Sequence, residues 1–392
     1  MSLRSGTILE VSSMARAIEP SLIRVLRDAA GPNSLDLGIG QTDLPISPHV
    51  EEAVKRAVKS PAYAPYGPNL GLPAMREAVA RHYGIDASET LITCGVQQAM
   101  SLALLGLVER GDEVLIPDPG FPAYANLVRA AGGVPVPYAL REPDHDLDRD
   151  EILSRVTAKT RFILLNSPGN PTGGVHRPGP MLAILRELAG QGIGWISDEI
   201  YEDYVYEGAH VSPASDPELR TCGLRLSGLS KSHHMMGWRL GWLTGPATIV
   251  EALKPLHQHM VTSASTLIQH AGLASLAHHE AIVTEAREVF RRRRDLVYES
   301  VMKIDGLRCE KPGGAFYIWV NVRKFIEGHE QGSLGFAMDL LRQEDVVVVP
   351  GSGFGARGED YIRLAYTIDE ARLNEALDRL ERFCVRRLAE RT

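Results

Sequence analysis

A lysine and an arginine that lie eight residues apart are the first side chains in this sequence that could do chemistry together. Lys231 stands between Ser230 and Ser232, and Arg239 lies in the Gly-Trp-Arg-Leu-Gly segment that follows. A lysine that attacks a carbonyl group must be partly desolvated, because only its neutral amine is nucleophilic. A phosphate group on the same ligand would need an arginine and hydroxyl groups close by. Most lysines lie on the surface, so Lys231 and Arg239 alone only indicate a site for a carbonyl compound that carries a phosphate.

An acidic residue at the end of an apolar run supplies a second element of the same chemistry. Asp198 follows Gly194–Ser197 and precedes Glu199-Ile200-Tyr201. Its carboxylate could simply cap the next helix. It could also pair with a protonated ring nitrogen. That proton makes a pyridine ring an electron sink, and stabilising it is the main way in which a protein controls the electronic properties of pyridoxal phosphate. If this segment is helical, Tyr201 lies on a neighbouring face, where it could donate a hydrogen bond to the phenolic oxygen of that ring.

Three further segments carry candidate ligand-binding groups. Asn170 follows the most apolar run in the sequence, Arg161–Leu165, and the proline after it keeps its backbone out of the α region. The segment could be only a turn-rich loop, or its amide could bind a phenolate oxygen. The Gly95 junction between a strand and a helix is a weak anion-site signal. Arg363 lies inside an apolar strand and needs an anion, which is either a structural carboxylate or the carboxylate of a substrate.

The order of secondary structure explains how these residues could meet. Between about residues 50 and 280, short apolar runs at 91–93, 113–117, 161–165 and 194–197 alternate with helical patterns. Strands that are buried on both faces and separated by helices predict a mostly parallel sheet. Ligands of such sheets bind beyond the carboxyl ends of the strands, and much of the candidate chemistry lies there.

The C-terminal part has a different pattern. Strands are predicted at 315–320, 345–349 and 361–365, with helices at 334–342 and 370–387. We therefore predict a large α/β domain of residues 46–280 and a smaller α+β domain that combines residues 1–45 with 281–392. The four-arginine run at 291–294 is most simply explained as a solvated helix face or a subunit contact.

Composition restricts the class of protein. The 392 residues carry 42 basic and 49 acidic side chains, a net charge of −7, which argues against nucleic acid as the main partner. The four cysteines are far apart and indicate neither a disulfide framework nor a zinc site. We find no run of about 18 apolar residues that could span a membrane and no secretory signal. A cytoplasmic enzyme without a metal is the expectation.

Taken together, the five motifs resemble those of the class I/II aminotransferases of pyridoxal-phosphate fold type I. Asn170 and Asp198 are 28 residues apart, Asp198 and Lys231 are 33 apart, and Lys231 and Arg239 are 8 apart, which keeps the order and the approximate spacings of that family. The resemblance covers nearly the whole chain. It implies a large domain with a mostly parallel, seven-stranded type of sheet flanked by helices, and a smaller α+β domain.

The resemblance also implies roles for residues around the cofactor ring. Lys231 matches the lysine that holds pyridoxal 5'-phosphate as a Schiff base and shuttles the proton. Asp198 matches the partner of the pyridine nitrogen. Asn170 and Tyr201 match the residues that bind the phenolic oxygen, and Phe121 falls where an aromatic side chain stacks on the ring.

Other positions correspond to the phosphate and substrate groups. Arg239 matches the phosphate-binding arginine. The resemblance implies that Ser230 and the backbone of Val96 and Gln97 help Arg239 to hold the phosphate.

Arg363 and Gly40 match residues beside the substrate carboxylate, with Asn170 next to them. Tyr66 resembles the tyrosine that reaches the phosphate of the neighbouring subunit, which implies a homodimer.

Three positions depart from the commoner family pattern. Val96 replaces a second small residue, Gly120 replaces an aromatic residue before Phe121, and Gly228 replaces a phosphate-binding serine. Backbone amides tolerate the first change, and Ser227 or Ser230 could compensate for the last.

The implied reaction is ping-pong transfer of an amino group between an L-amino acid and a 2-oxo acid. The same residues also suit a carbon–sulfur β-lyase. A sensor domain without catalysis is a third alternative, but it would need a DNA-binding domain for which the chain leaves no room. No motif nominates a second cation for a dicarboxylate, so the amino donor stays open. His233 and His234 are close to Lys231 and could line the pocket, although a packing or surface role explains them better.

Overall fold

The computed structural model describes residues 10–18, 20–61, 64–327 and 330–390. Within these ranges the α-helices are α1 Ser13–Arg16, α2 Leu22–Ala29, α3 Pro48–Val58, α4 Pro73–Tyr83, α5 Val96–Leu107, α6 Ala123–Ala130, α7 Arg149–Ser154, α8 Pro178–Ala189, α9 Ala247–Val261, α10 Thr266–Ala277, α11 His279–Lys303, α12 Arg323–Ile326, α13 Gly332–Glu344 and α14 Glu370–Ala389. None of these helices is both long enough and apolar enough to cross a bilayer.

The strands in the same ranges are β1 Leu35–Asp36, β2 Thr90–Thr93, β3 Glu113–Asp118, β4 Val134–Ala139, β5 Thr160–Asn166, β6 Gly194–Asp198, β7 Gly223–Gly228, β8 Gly241–Thr244, β9 Arg308–Cys309, β10 Tyr317–Asn321, β11 Val346–Val347, β12 Val349–Pro350 and β13 Tyr361–Ala365. Seven of them form one sheet in the order β2-β8-β7-β6-β5-β3-β4. Its pairs are parallel except those that β8 makes with β2 and β7. The predicted mostly parallel α/β sheet is confirmed.

Strand β5 shows why the apolar runs of the sequence lack alternation. Ile163 and Leu165 pack into a cluster with residues of α8, such as Leu185. Leu164 points to the opposite face, into the cluster that contains Leu102 of α5. Because helices cover both faces of the sheet, every position of the strand interior is apolar.

The smaller sheets lie in the C-terminal part of the chain and include the N-terminal strand. Four strands pair in the order β12-β13-β10-β9, and β1 pairs in parallel with β11. The single strand predicted over 345–349 is wrong: Asp345 ends α13 with φ of 56°, and the segment then contributes β11 and β12 to two different sheets. The division at residues 46 and 281 stays a proposal.

The arginine run at 291–294 is only half exposed, so the solvated-face interpretation is wrong for two of its members. Arg293 and Arg294 are 5% and 3% exposed. Arg293 makes two hydrogen bonds to the carboxylate of Asp43, at 2.7 and 2.9 Å. Next to Asp43, Thr42 Oγ1 lies 3.0 Å from His234 Nδ1. The buried arginine therefore ties α11 to the loop that contains Gly40.

Two of the departures from the family pattern have a steric cause. A Cβ added at Gly120 would overlap the carbonyl oxygen of Pro117, and one at Gly228 would lie 2.7 Å from Gly241 Cα. Neither position has room for a side chain. Ser227 donates to Glu202 Oε1 at 2.5 Å, so among the two serines proposed to compensate, Ser230 is the one that faces the cavity described next.

Candidate active site

The carboxyl ends of β5 and β6 and the loop after β7 open into a cavity of about 870 Å³. Its wall contains almost all of the residues predicted from the sequence, namely Gly40, Val96, Gln97, Phe121, Asn170, Asp198, Tyr201, Ser230, Lys231, Arg239 and Arg363. Candidates that are more than 300 residues apart in the chain therefore meet in one place.

The register of the parallel strands sets the floor of the cavity. Asn166 of β5 and Asp198 of β6 are direct partners, so the two strands end at the same level. The side chain of Asn166 donates to the backbone oxygen of Asp198 at 2.9 Å and accepts from the backbone N–H of Asn170 at 2.8 Å. One buried amide thus fixes the Asn170 loop relative to Asp198.

Asp198 is buried and has a partner that the sequence did not nominate. Tyr124 Oη, on α6, donates to Asp198 Oδ2 at 2.8 Å, and the backbone N–H of Ile200 donates to Oδ1 at 3.3 Å. Burial raises the pKa of Asp198 to about 6, while the hydrogen bond from Tyr124 works in the opposite direction. The sequence could have nominated Tyr124, because it lies on a helix three residues after Phe121 and a buried tyrosine hydroxyl needs a hydrogen-bond acceptor.

Tyr317 is a second wall residue that the sequence did not nominate. Its hydroxyl lies 2.9 Å from that of Tyr201, which sits in a turn and not in a helix. A Cβ on Gly40 would overlap the Tyr317 hydroxyl, so glycine is needed for this approach. The apolar strand 315–320 gave no reason to single out one aromatic residue.

The start of α5 and Arg239 form an anion-binding corner. Gly95 caps the helix with φ of +86°, and an added Cβ there would lie 2.6 Å from Arg239 Nη2. The first N–H groups of α5, at Val96 and Gln97, have no partner within the helix. An exposed helix start beside a guanidinium, with Ser230 in the same wall, suits a phosphate group.

Lys231 reaches into the cavity from the loop after β7. Its Nζ donates to the backbone oxygen of Gly40 at 2.7 Å. Burial, followed by the charges of Arg363 and Arg239, lowers the pKa of Lys231 to about 8, whereas Asp198 raises it. A substantial fraction of the amine is therefore neutral near physiological pH, as nucleophilic chemistry requires.

Arg363 is 1% exposed and has no carboxylate within 4 Å among the described residues. Its Nη1 donates to Asn170 Oδ1 at 2.8 Å, and Nη2 donates to the backbone oxygen of Gly38. The guanidinium lies over the rings of Tyr317 and Phe354, at 4.3 and 4.9 Å, and its Nε has no hydrogen-bond partner in the part of the chain that the structure describes. No structural salt bridge of Arg363 is found within the described residues, and a buried guanidinium without a carboxylate suits an anionic ligand.

Tyr66 and the two histidines do not line this cavity. Tyr66 is 88% exposed, so it contributes nothing to the cavity of its own chain. His233 and His234 are both buried, and His234 contacts Thr42. Their packing interpretation fits the structure better than a pocket role.

A buried polar network lies beneath Asp198 and holds the turn that carries Tyr201. Glu199 accepts from His210, Ser212 and Arg225 at 3.0, 2.7 and 3.2 Å. Because the Glu199 carboxylate is already paired within the protein, this network supports the cavity floor and leaves no charge for a ligand.

The cavity contains a partly neutral lysine, a buried carboxylate and an arginine that lacks an anion. These groups suit an enzyme that acts on carboxylic acids through an amine.

Comparison with known proteins supports this type of enzyme. The family described as aminotransferase class I and II matches residues 32–380. The aspartate aminotransferase of Geobacillus stearothermophilus is 34% identical over 91% of this chain and 92% of its own. Aromatic-amino-acid aminotransferase 2 of Thermococcus litoralis is 35% identical, with 95% and 98% covered.

A solved structure shares the fold. A single mutant of Thermus thermophilus aspartate aminotransferase superposes with a TM-score of 0.89 at 32% identity, covering 96% of this chain and all of that one. The chain belongs to the class I and II aminotransferases. It is a transaminase, and its family uses pyridoxal phosphate and acts on amino acids and 2-oxo acids.

The lowered pKa of Lys231 predicts unusual reactivity in cofactor-free protein. The rate at which an acylating reagent modifies Lys231 should rise with pH and level off above about 8, because the amine is neutral above its pKa. An ordinary lysine would follow a midpoint near 10. Peptide mass spectrometry can measure both rates, with half-exposed Lys254 as the internal control. A midpoint for Lys231 equal to that of Lys254 would contradict this description of the site.

Proposed function

We propose that this chain transfers an amino group between an L-amino acid and a 2-oxo acid by a ping-pong mechanism, with pyridoxal 5'-phosphate held as a Schiff base on Lys231. One observation carries the proposal. Lys231, Asp198 and Arg363 share one cavity, in which the lysine has a pKa of about 8 and the arginine has no carboxylate partner among the described residues.

The residues around the cavity floor fit the ring of this cofactor. Asp198 would pair with the ring nitrogen, and its raised pKa is consistent with a carboxylate that needs a cationic partner. Asn170 and Tyr201 would bind the phenolic oxygen, and Phe121 would stack on the ring.

The anion-binding corner fits the phosphate. Arg239, Ser230 and the first N–H groups of α5 would hold it, and Gly95, whose φ of +86° favours glycine, lets Arg239 lie close to the start of the helix. When bound, pyridoxal phosphate supplies an electron sink for the electrons left at the substrate α-carbon.

The remaining steps belong to residues of the chain. Arg363 binds and orients the α-carboxylate of the substrate, and Asn170 Oδ1 fixes the guanidinium plane. Nζ of Lys231 accepts the α-proton and later returns it, because a pKa close to the working pH serves both directions. Asp198 keeps the proton on the ring nitrogen.

We also propose a homodimer and a cytoplasmic location. The 88% exposure of Tyr66 leaves its ring free to contribute to the site of a second copy. All four cysteines are free thiols, which fits a reducing compartment.

The hydrogen bond from Tyr124 to Asp198 generates a prediction for cofactor affinity. Tyr124→Phe removes a hydrogen bond to a charged group, which is worth roughly a tenfold or greater loss of affinity for pyridoxal phosphate. Titration of cofactor-depleted protein measures the dissociation constant. Tyr138→Phe is the matched control, since that buried hydroxyl donates to the backbone oxygen of Leu164. Equal affinities of the two variants would refute the role of Tyr124.

A half-reaction screen of amino acids tests the function itself. Loss of the cofactor absorbance should accompany release of a 2-oxo acid that keeps the carbon skeleton of the donor. Pyruvate together with ammonia and a thiol would instead support the β-lyase.

Lys231→Ala should abolish turnover, whereas Lys254→Ala, at a half-exposed lysine outside the cavity that pairs with Glu251, should keep it. Turnover by Lys231→Ala would show that the lysine assignment is wrong. Cofactor binding without turnover of any amino acid or thiol-bearing substrate by the unaltered protein would favour the sensor.

A further inference from the structure

Asp118 is a buried carboxylate to which the proposed function gives no role. It ends β3 and is 8% exposed. No basic side chain lies within 4 Å of its carboxylate in the described part of the chain, and burial raises the pKa of Asp118. A buried carboxylate without a cation must be held by hydrogen bonds, so the groups that donate to Asp118 indicate what it does.

The donor comes from a turn that lies far away in the chain. The backbone N–H of Arg357 donates to Asp118 Oδ1 at 3.2 Å and lowers the pKa of the carboxyl group. Two residues after Asp118, the N–H of Gly120 donates to the backbone oxygen of Phe354 at 2.8 Å. The turn of residues 354–357 is therefore attached to the end of β3 by hydrogen bonds in both directions.

The shape of this turn also depends on the carboxylate. Gly355 has φ of +129°, a backbone conformation that favours glycine. A Cβ at this position would overlap Asp118 Oδ1. Only a residue without a side chain can bring the backbone this close to the carboxylate, so the turn is fitted to Asp118.

Phe354, the first residue of the turn, connects it to the carboxylate-binding arginine. Its side chain is buried, and the centre of its ring lies 4.9 Å from the guanidinium carbon of Arg363. The ring also packs edge-on against Trp319, at 5.5 Å between ring centres. Trp319 is the direct partner of Arg363 where β10 pairs with β13. Phe354 therefore supports Arg363 both directly and through Trp319.

The two larger sheets carry different parts of the proposed chemistry. Arg363 lies on β13 of the four-stranded sheet, whereas Asp198 ends β6 of the seven-stranded sheet and Lys231 follows β7. Transfer of a proton to Lys231 requires the substrate α-carbon at a fixed place, so the position of one sheet relative to the other affects the reaction. Asp118 belongs to the seven-stranded sheet and holds the turn between β12 and β13 of the four-stranded one.

We propose that Asp118 is a positioning residue that fixes Arg363, through the ring of Phe354, at the place where it binds the substrate carboxylate; the inference rests on the proposed function. Arg363 keeps its own contacts with Asn170 and Gly38 when Asp118 is changed. Lys231 and Asp198, on the other sheet, are not affected. Loss of Asp118 therefore weakens the binding of substrates more than it slows their conversion.

The test changes this contact from each of its two sides. Asp118→Ala removes the acceptor, and Gly355→Ala places a methyl group against it while Asp118 stays in the chain. In either holoenzyme, KM for L-amino acids and the dissociation constant of 3-phenylpropionate should rise about tenfold, as expected for the loss of one hydrogen bond to a charged group. kcat should change much less. Asp118→Asn, which keeps an oxygen as acceptor, should restore most of the affinity.

Two control variants separate positioning from a general loss of structure. Asp216 is also buried and accepts from the backbone N–H groups of Glu218 and Leu219, but it lies in the segment before β7, outside the cavity wall and the turn described above. Gly208 has φ of +86°, and an added Cβ there would meet no described atom within 4 Å. Asp216→Ala and Gly208→Ala should leave KM and the affinity for 3-phenylpropionate unchanged.

Cofactor affinity provides a readout that does not depend on turnover. The dissociation constant of pyridoxal phosphate should be the same in the unaltered protein, Asp118→Ala and Gly355→Ala. Unchanged KM and unchanged binding of 3-phenylpropionate in these two variants would overturn the assignment of Asp118. An equal loss of cofactor affinity, or an equal effect of Asp216→Ala, would also overturn it, because either result indicates a general structural effect.

Gly355→Ala gives the same decision if Asp118→Ala is not recovered as folded protein. Failure of the proposed function is a separate result. In that case the unaltered enzyme would transaminate no amino acid, although calorimetry could still compare the affinity for 3-phenylpropionate between the unaltered protein and the variants.

Discussion

The structure depends on positive charge that the protein buries and does not neutralise. Arg363 is almost fully buried with carbonyl oxygens and aromatic rings around it, and no carboxylate lies within 4 Å in the described residues. Its charge also helps to lower the pKa of Lys231. Burying an unpaired cation costs free energy. Binding of an anion to the buried guanidinium offsets that cost. The charge of Arg363 therefore has two effects: it favours binding of a carboxylate, and it increases the neutral, nucleophilic fraction of the Lys231 amine.

The α/β sheet is what allows these charges to be placed so closely. Parallel strands end at one edge, and the pairing of Asn166 with Asp198 levels the two that matter most. Side-chain hydrogen bonds then set the details: Asn166 holds the Asn170 loop, Tyr124 holds Asp198, and Arg293 ties the Gly40 loop to α11. The first two contacts are buried and the third is partly buried, and together they fix the positions of these groups before any ligand enters.

Much of the site could be predicted because its residues follow strands that are evident in the sequence. Asp198 and Asn170 each follow an apolar run, and that position brings them to one sheet edge. Lys231 was nominated by Ser230, Arg239 and the family resemblance, because the strand before it, β7, was not predicted. Tyr124 was not predicted, because its contact with Asp198 depends on how helix α6 packs across the sheet, which local patterns do not encode. The break within 345–349 was missed for a related reason: Val346 to Val349 are all buried, and a run without alternation does not show where the chain changes sheets.

Binding of a simple monocarboxylate to the holoenzyme tests the central role of Arg363 most directly. Calorimetry should give a dissociation constant for 3-phenylpropionate that rises at least tenfold in Arg363→Lys. A compact ammonium cannot reproduce the planar, two-pronged contact of a guanidinium with a carboxylate. Unchanged affinity in Arg363→Lys, with the cofactor still bound, would contradict the account that this buried charge is kept for the substrate carboxylate.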